Sequence, residues 1–583
     1  MASRRQFLRG GLGAVVAGMM TRSAWARGEG LTRDPAAPPS LSLNPCPQTG
    51  ALPTQQTRPL AFLPLAPDSV VVDDLPFAPR FTGDDYAFAD FPFHTCENCF
   101  PGGRPPDPTE EVEIAIVGGG LSGLATAYLL RERNPVLFEL KDRFGGVSAG
   151  ESWGGTPFSL GGAYFISPDE GSFLESLYRE LELDRVVRVD EGSLSFEYRG
   201  SIQDRFWEGK GQSADEREAV RRYTEAVAYF GEHYPEIPLP DGPHDEWIRT
   251  LDRRTLKDDI QQRVGMPLPA LLEQAIQAYC YSSFGAGWQD LSAAAGWNFL
   301  AAEEFGRWVL PGGNSYLVDQ MWRRLAMADG GTPTNCAGQY LRGGCRVVDV
   351  RLMEGRRVQV TYKDSAGSYR SLSARRVVMC CAKMLAKYII HDIERLDAAK
   401  HESMHNIPYA AYAVANVLLS QPIARDFYDM FLLGHDTFPM TPGAFQARSE
   451  VVDVLSGHYA RSEPLPRSVL TLYWPLPWAS SRFTLLDDNA WQSYAESIAP
   501  QVRRILSLLE VRHTSVRQIR LTRWGHAMPV SAPNFLADGH GQRLRRPINN
   551  QIWFVNQDNW ALPAVENCLL DAQWTAEQIL AIQ

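Results

Sequence analysis

The strongest constraint on the fold is a strand pattern that breaks on glycines and restarts at once as a helix. Val112, Ile114 and Ile116 alternate with Glu113 and Ala115, the period of a strand, whereas Leu121, Leu124, Ala125, Tyr128 and Leu129 recur at helical spacing. Between them stands Gly118-x-Gly120-x-x-Gly123. The first glycine permits a tight turn, the second lets backbone approach a pyrophosphate with no Cβ in the way, and the third lets the helix pack close to the strand. The helix start, with Ser122 in its first turn, offers free N–H groups and the positive end of a dipole to phosphate. A second apolar run, Pro135–Leu140, contains Glu139 about twenty residues after the first glycine, where a ribose diol requires a carboxylate acceptor. Together these elements specify a βαβ unit for an adenine dinucleotide, and with it an α/β fold. NAD and FAD share this fingerprint.

A chain of 583 residues, 44% of them hydrophobic, can bury more than one core. Its first 26 residues combine Arg4-Arg5 within Ser3–Leu8, a short apolar run from Gly11 to Met20, and Ala24-Trp25-Ala26. That order resembles a twin-arginine signal peptide with a small-residue cleavage site. The resemblance implies export of an already folded protein by the twin-arginine machinery, to a periplasmic or secreted location, which suits a cofactor inserted beforehand. The apolar run is too short to cross a bilayer, and no later segment reaches the roughly 20 apolar residues that a span needs, so no stable membrane span is expected. The signal holds four arginines and no acid, so its removal makes the formal charge of −11 more negative still. An acidic surface argues against nucleic acid and anionic membranes as partners.

Residues 27–110 hold 16 of the 40 prolines and show no sustained period, which reads as an extended arm on the surface or a mobile one. Nine cysteines are too few for a disulfide scaffold in a chain this long. Cys96-Glu97-Asn98-Cys99 is a lone CxxC with His94 before it; without a second CxxC or a following His it reads as a disulfide or two thiols, and no metal is expected. Cys380-Cys381 closes an apolar strand pattern and reads as core.

The segments after Glu139 separate FAD from NAD. Leu140–Ser152 and Phe158–Phe165 resemble those that follow the acid in the flavin amine oxidase, protoporphyrinogen oxidase and carotenoid desaturase superfamily. The resemblance implies that Arg143, Gly145 and Gly146 lie beside the FAD pyrophosphate, and that Gly161, Gly162 and Ala163 lie near the flavin; Val147 stands where many members carry an arginine. Leu310–Leu325 is similar to the family's Pro-Gly-Gly segment, and Cys345–Ala382 to its strand pairs and re-entering strand. Ile552–Leu580 resembles the closing strand, acidic turn and helix. There Asp558 matches the acid near the ribityl chain, while Val565 and Glu566 open a final helix whose amides would face the flavin pyrimidine. Gln557 and Asn567-Cys568 depart from the family's usual glycine and Gly-Ala.

The implied architecture is a Rossmann-like FAD-binding domain interleaved with an α+β substrate domain. Residues 111–190, 305–385 and 530–583 would build the first and residues 191–304 and 386–529 the second, following the signal (1–26) and arm (27–110). FAD is expected to be non-covalent, since no Cys or His stands at a recognised attachment motif. The reacting face belongs between the domains, at the strand C-termini. Catalytic residues are less legible. Many amine oxidases of this superfamily use a lysine on a substrate-domain strand, and Ile407–Leu419, the matching segment, has none; Lys383 and Lys387 read as a solvated turn. Tyr164 and Trp560 are the candidate catalytic-site aromatics, able to sandwich a flat or cationic substrate, and His526 reads as structural. Three functions fit: an exported FAD oxidoreductase taking hydride from a C–N bond of an amine or amino acid, a desaturase or dehydroxylase of an isoprenoid-like substrate, and a non-catalytic FAD-holding carrier. The expected partners are a small-molecule substrate and an electron acceptor, whether oxygen, a quinone or a periplasmic cytochrome.

Overall fold

A computed structural model of the chain describes residues 58–63, 68–85, 100, 102–190, 195–204, 213–235, 242, 244–303, 307–328, 340–434, 450–460, 465–478, 480–485 and 487–582. The twin-arginine segment, His94 and the Cys96/Cys99 pair lie outside the described residues.

The strand Glu110–Val117 sits at the centre of a seven-stranded sheet. Val136–Phe138 and Tyr369–Met379 flank it in parallel, Leu341–Arg342 and Ile552–Phe554 extend the parallel part, and Arg357–Lys363 and Arg346–Met353 continue it antiparallel. Ile114 and Ile116 enter the core on one face while Ala115 and Val117 enter the core on the other, the two-residue period of a strand buried on both sides. Over the first face the helix Leu121–Leu129 packs against Val565–Ala581 and Asn314–Ala328, so three segments far apart in sequence meet at one place.

A ten-stranded sheet forms the second layer. Its middle is antiparallel and apolar: Asp429–Gly434, Asp453–Ser456, Ser468–Pro475, Tyr409–Leu419 and Val516–Pro529 follow in that spatial order. The helix Trp491–Leu508 covers one face through Ile498, Val502 and Ile505. Helices Ala214–His233, Leu256–Val264, Ala270–Phe284 and Ala293–Glu303 pack together beyond the sheet, the first begun by a capping box in which Ser213 and Glu216 satisfy each other's backbone N–H.

The described parts of the proline-rich segment pair with strands elsewhere in the chain, in the ten-stranded sheet and in a separate three-stranded one. Leu60–Phe62 pairs in parallel with Gly150–Trp153, Leu75–Phe77 and Thr82–Gly83 pair with Val516–Pro529, and Val70–Val72 lies outside Leu75–Phe77. Arg58 grips buried Asp319 through two hydrogen bonds of 2.6 and 2.7 Å. Pieces of two or three residues are too short to show a period in sequence. Among the described residues no helix is long and apolar enough to cross a membrane.

Candidate active site

The site grows from the glycine turn. Gly118 adopts φ +108°, and the backbone leaves the strand for the helix at Gly120, whose N–H end no side chain among the described residues caps. A Cβ on Gly123 would lie 1.8 Å from the carbonyl oxygen of Gly118, so only glycine lets the helix return this close to the strand. A Cβ on Gly120 would meet nothing nearer than Gly146 Cα at 3.8 Å. No protein packing demands glycine there; the open space belongs to the cavity.

That cavity, about 800 Å³, runs between the two sheets. Gly118, Gly120, Ser122, Glu139, Gly146, Val565 and Glu566 line its floor. Glu139 is buried, its carboxylate accepting from the N–H groups of Gly119 (2.8 Å) and Lys141 (2.9 Å); desolvation raises its pKa against the pull of Lys141 and those amides. The helix Val565–Ala581 opens onto the cavity, and Glu566 accepts from Ile166 N–H at 2.9 Å. An uncapped helix start at each end, an open glycine, and a carboxylate about one βα unit away fit an adenine dinucleotide.

One segment, Ser159–Ile166, separates floor from roof. Side chains of the second sheet hold its carbonyls one after another: Asn416 donates to Ser159 O (3.2 Å), Trp524 to Leu160 O (2.7 Å), Tyr473 to Gly161 O (2.7 Å) and Tyr428 to Ala163 O (3.1 Å). Gly161, Gly162, Ala163 and Tyr164 line the cavity. The roof is aromatic. Tyr164, Tyr412 and Tyr473 face the cavity, with ring centroids 6.0 Å apart for Tyr164 and Tyr473 and 5.6 Å for Tyr412 and Tyr473.

Behind this roof lies a buried charge network. Tyr164 donates to Asp453 Oδ2 at 2.5 Å and lies 3.4 Å from Asp429 Oδ2; Ser282, another lining residue, donates to the same Asp453 oxygen at 2.9 Å. Arg307 binds Asp429 through two bonds of 2.7 and 3.1 Å and Asp190 through one of 2.5 Å. Desolvation and the Asp429 charge push the Asp453 carboxyl up to about 7, against the hydrogen bonds of Tyr164 and Ser282. Burial, Asp453 and Asp429 in turn hold the Tyr164 phenol well above its ordinary value. Sequence reasoning missed Asp190, Ser282, Arg307, Asp429 and Asp453, whose carriers are ordinary strand ends and one helix end.

The remaining expected residues are placed as follows. Gly145 bridges to Gly120 at the turn, and Arg143 reaches the Gly150 carbonyl at 3.4 Å without lining the cavity. Asp558 lies beneath the cavity wall, its Oδ2 accepting from Lys383 N–H and Tyr409 O–H, both at 2.7 Å. Trp560 is buried outside the lining, with the Arg545 guanidinium 4.5 Å from its ring centroid. Lys387 and His526 line the cavity and Lys383 does not; burial lowers the His526 pKa to about 4, so its imidazole is neutral at physiological pH. Among the described residues no group of three His, Cys, Asp or Glu forms a metal site.

Fold and cavity together define a dinucleotide-dependent oxidoreductase in which a second domain roofs the cofactor face. A model of the flavin-containing amine oxidoreductase family matches residues 121–547. The chain belongs to that family, and it is an FAD-dependent oxidoreductase. It is 22% identical over 533 residues to oxidoreductase PigB of Serratia sp. (strain ATCC 39006), covering 81% of this chain and 75% of that one. A 99-residue stretch is 36% identical to the flavin-containing monoamine oxidase AofH of Mycobacterium tuberculosis (17% of this chain, 21% of that one). Among solved structures, wild-type putrescine oxidase bound to putrescine superposes with a TM-score of 0.59 at 18% identity, covering 81% of this chain and 100% of that one. Cyclohexylamine oxidase from Brevibacterium oxydans IH-35A gives 0.54 at 16% identity, over 80% and 98%.

Proposed function

We propose that this enzyme oxidises a small amine or amino acid at the carbon bearing nitrogen, holding FAD non-covalently, after export by the twin-arginine route to the periplasm or beyond. The observation that carries the reading is the roof. Three tyrosine rings face the cavity, and behind them lie three buried carboxylates and one guanidinium: Arg307 binds Asp190 and Asp429, while Asp453 accepts from Tyr164 and Ser282. Aromatic faces and an excess of negative charge in a low-dielectric setting favour a cationic guest. An apolar isoprenoid would gain nothing from such charge. The folds shared with putrescine oxidase and cyclohexylamine oxidase point the same way.

Bound FAD supplies the two-electron acceptor. The protein's work is to bind, orient and keep water out. Gly120 and Ser122 would present the helix start to the phosphates and Glu139 would present its carboxylate to the ribose. The helix at Val565 turns its positive end toward the cavity, where its amides would help to hold the flavin and favour its anionic form. Tyr164, Tyr412 and Tyr473 press the substrate carbon toward the floor while Ser159–Ile166, pinned by four second-sheet donors, keeps roof and floor in register. Oxidation at the C–N bond gives an imine that water hydrolyses to a carbonyl compound and an amine or ammonia.

The test is anaerobic mixing of the purified flavoprotein with a panel of amines, amino acids and isoprenoids while the oxidised flavin band is followed. Bleaching by one or more amines is expected. Bleaching by an isoprenoid alone would replace this reading with a desaturase, and bleaching by nothing in the panel would leave a carrier.

A further inference from the structure

An amine arrives at neutral pH as an ammonium ion, since alkyl amines ionise near pH 10 like lysine. Its nitrogen must lose a proton before the lone pair can assist departure of hydride from the neighbouring carbon. Four carboxylates line the cavity, of which Glu139 and Glu566 accept backbone N–H groups at the floor and Asp84 accepts from Gly525 N–H at 2.9 Å, with Asp85 beside it; none belongs to the tyrosine roof. His526 is a neutral base too weak for the task, with its pKa at about 4 because of burial. Lys387 lines the cavity with its pKa lowered by burial and by Arg482, and the Tyr164 phenol is held in its protonated form by burial and by Asp453.

Two cavity-lining hydroxyls, however, point at one carboxylate. Ser282 from the end of helix Ala270–Phe284 and Tyr164 from the Ser159–Ile166 segment both donate to Asp453 Oδ2, at 2.9 and 2.5 Å. Asp453 is fully buried, and among the described residues its Oδ1 has no hydrogen-bond partner. Asp429 raises the Asp453 pKa and the more distant charge of Arg307 lowers it. Asp429 stands on the adjacent strand and repels it; Arg307 is occupied by Asp429 and Asp190; Tyr473 lies on the other adjacent strand, Tyr412 on the strand beyond that, and Tyr428 just before the strand of Asp429. Of the three carboxylates it is the one without an ion pair among the described residues. An unpaired buried carboxylate oxygen is costly, so this group gains most from taking up a proton.

We propose that Asp453 is the proton acceptor of the cavity, reached through the hydroxyl of Ser282, and that it takes the proton an ammonium substrate must lose. The inference rests on the amine reading above. In the step, the N–H bond of the ammonium breaks and its electron pair stays on nitrogen. The Ser282 oxygen takes that proton while its own moves to Asp453 Oδ2. Ammonium and carboxylate become amine and carboxylic acid, with no net transfer of electrons. Ser282 touches the substrate; Asp453 acts through it as a positioning residue. Tyr164 stays a hydrogen-bond donor and fixes the carboxylate plane.

The experiment uses the FAD-loaded enzyme and the best amine found in the panel, with Asp453→Asn, Asp453→Glu and Ser282→Ala. In wild type, anaerobic bleaching should rise through an inflection near pH 7, where Asp453 ionises. An infrared carboxylic-acid band, absent from Asp453→Asn, should vanish over the same range. In Asp453→Asn the inflection should move to the amine's own ionisation, slowing bleaching roughly a hundredfold at pH 8 for an amine that ionises near pH 10. Asp453→Glu should restore a shifted inflection, which loss of structure would not. Ser282→Ala should keep the infrared titration and slow bleaching at least tenfold. Bleaching with the same inflection in Asp453→Asn, or an acid band that does not titrate, would overturn this step alone. No bleaching by any amine would remove the amine reading and the step together.

Discussion

Gly120→Ala separates cofactor binding from folding, because the two glycines of the turn are glycines for different reasons. Gly120 has φ −74° and ψ −167°, a conformation open to any residue, and the nearest atoms to an added Cβ are Gly146 Cα at 3.8 Å and Gly145 O at 4.0 Å. Alanine therefore fits the apoprotein and should stabilise it by about 0.4–1 kcal/mol by restricting the unfolded chain. The methyl group would project into the space where a pyrophosphate must touch backbone. Pushing the phosphate away by even one methyl radius costs one or two charge-assisted hydrogen bonds, about 1.5–3 kcal/mol each, so that losing one weakens FAD binding roughly ten- to 150-fold. Gly123→Ala is the control: with a backbone oxygen 1.8 Å from its Cβ, it should disrupt the turn and the fold itself. The assay is titration of apoprotein with FAD by fluorescence, alongside thermal unfolding without cofactor. In the expected pattern Gly120→Ala melts no lower than wild type yet binds FAD roughly ten- to 150-fold more weakly. Wild-type affinity in Gly120→Ala would refute the placement of the phosphates.

Arg307→Ala should cost about 3–5 kcal/mol, since it leaves Asp190 and Asp429 buried without their cation; chemical denaturation measures it, and a loss below 1 kcal/mol would show that the network is solvated. The Asp453 carboxyl is raised in the folded state, so its neutral form stabilises the protein at low pH and that contribution is lost as pH climbs from the ordinary aspartate value of 3.8 to about 7. Asp453→Asn, which cannot ionise, should therefore melt progressively higher relative to wild type across that window; a constant difference in Tm would contradict it. Trp560→Leu should lower stability and leave the bleaching rate near wild type, whereas Tyr164→Leu should slow bleaching more than it loosens FAD, because only Tyr164 lines the cavity. Replacing Arg4-Arg5 by Lys-Lys should leave folded, FAD-loaded precursor in the cytoplasm; efficient export of that variant would remove the twin-arginine reading.

What could be read from sequence was local. The strand, turn and helix at Val112–Leu130 and the acid at Glu139 lie within about thirty residues, and their spacing alone dictates the unit that the structure contains. Tyr164 was legible through the Gly161-Gly162-Ala163 stretch before it. Trp560 was misleading for a local reason: Ala561 turns the chain at φ +47°, and the indole goes to Arg545 in the core while its sequence neighbours approach the cavity wall. The roof was invisible because its charges come from four separate stretches. Asp429 and Asp453 each begin an apolar strand, where an acid reads as a solvent-facing end. Only the pairing of Asp453 with Phe431 and Tyr473, and the arrival of Tyr164 from the other layer, turns that end inward. The short strands between residues 60 and 83 escaped notice similarly, since two of the four, Leu75–Phe77 and Thr82–Gly83, take their order from a strand more than four hundred residues on, and Leu60–Phe62 pairs with Gly150–Trp153.

The segment Ser159–Ile166 explains why such a costly roof is compatible with a working floor. Its carbonyls are held by the second sheet, its far end by Glu566 at the start of the closing helix, and its one phenol by Asp453. Both halves of the site are thus measured from the same eight residues, and a shift in either sheet moves the segment and not the gap alone. Chemistry at a C–H bond requires reacting atoms aligned at about 3–3.5 Å, and an error near 1 Å costs orders of magnitude in rate. Two rigid sheets joined only through flexible loops would not hold that tolerance. A shared strip with donors on one side and the glycine turn on the other does, and it places the buried acids where their unfavourable desolvation is offset by hydrogen bonds that also set the geometry.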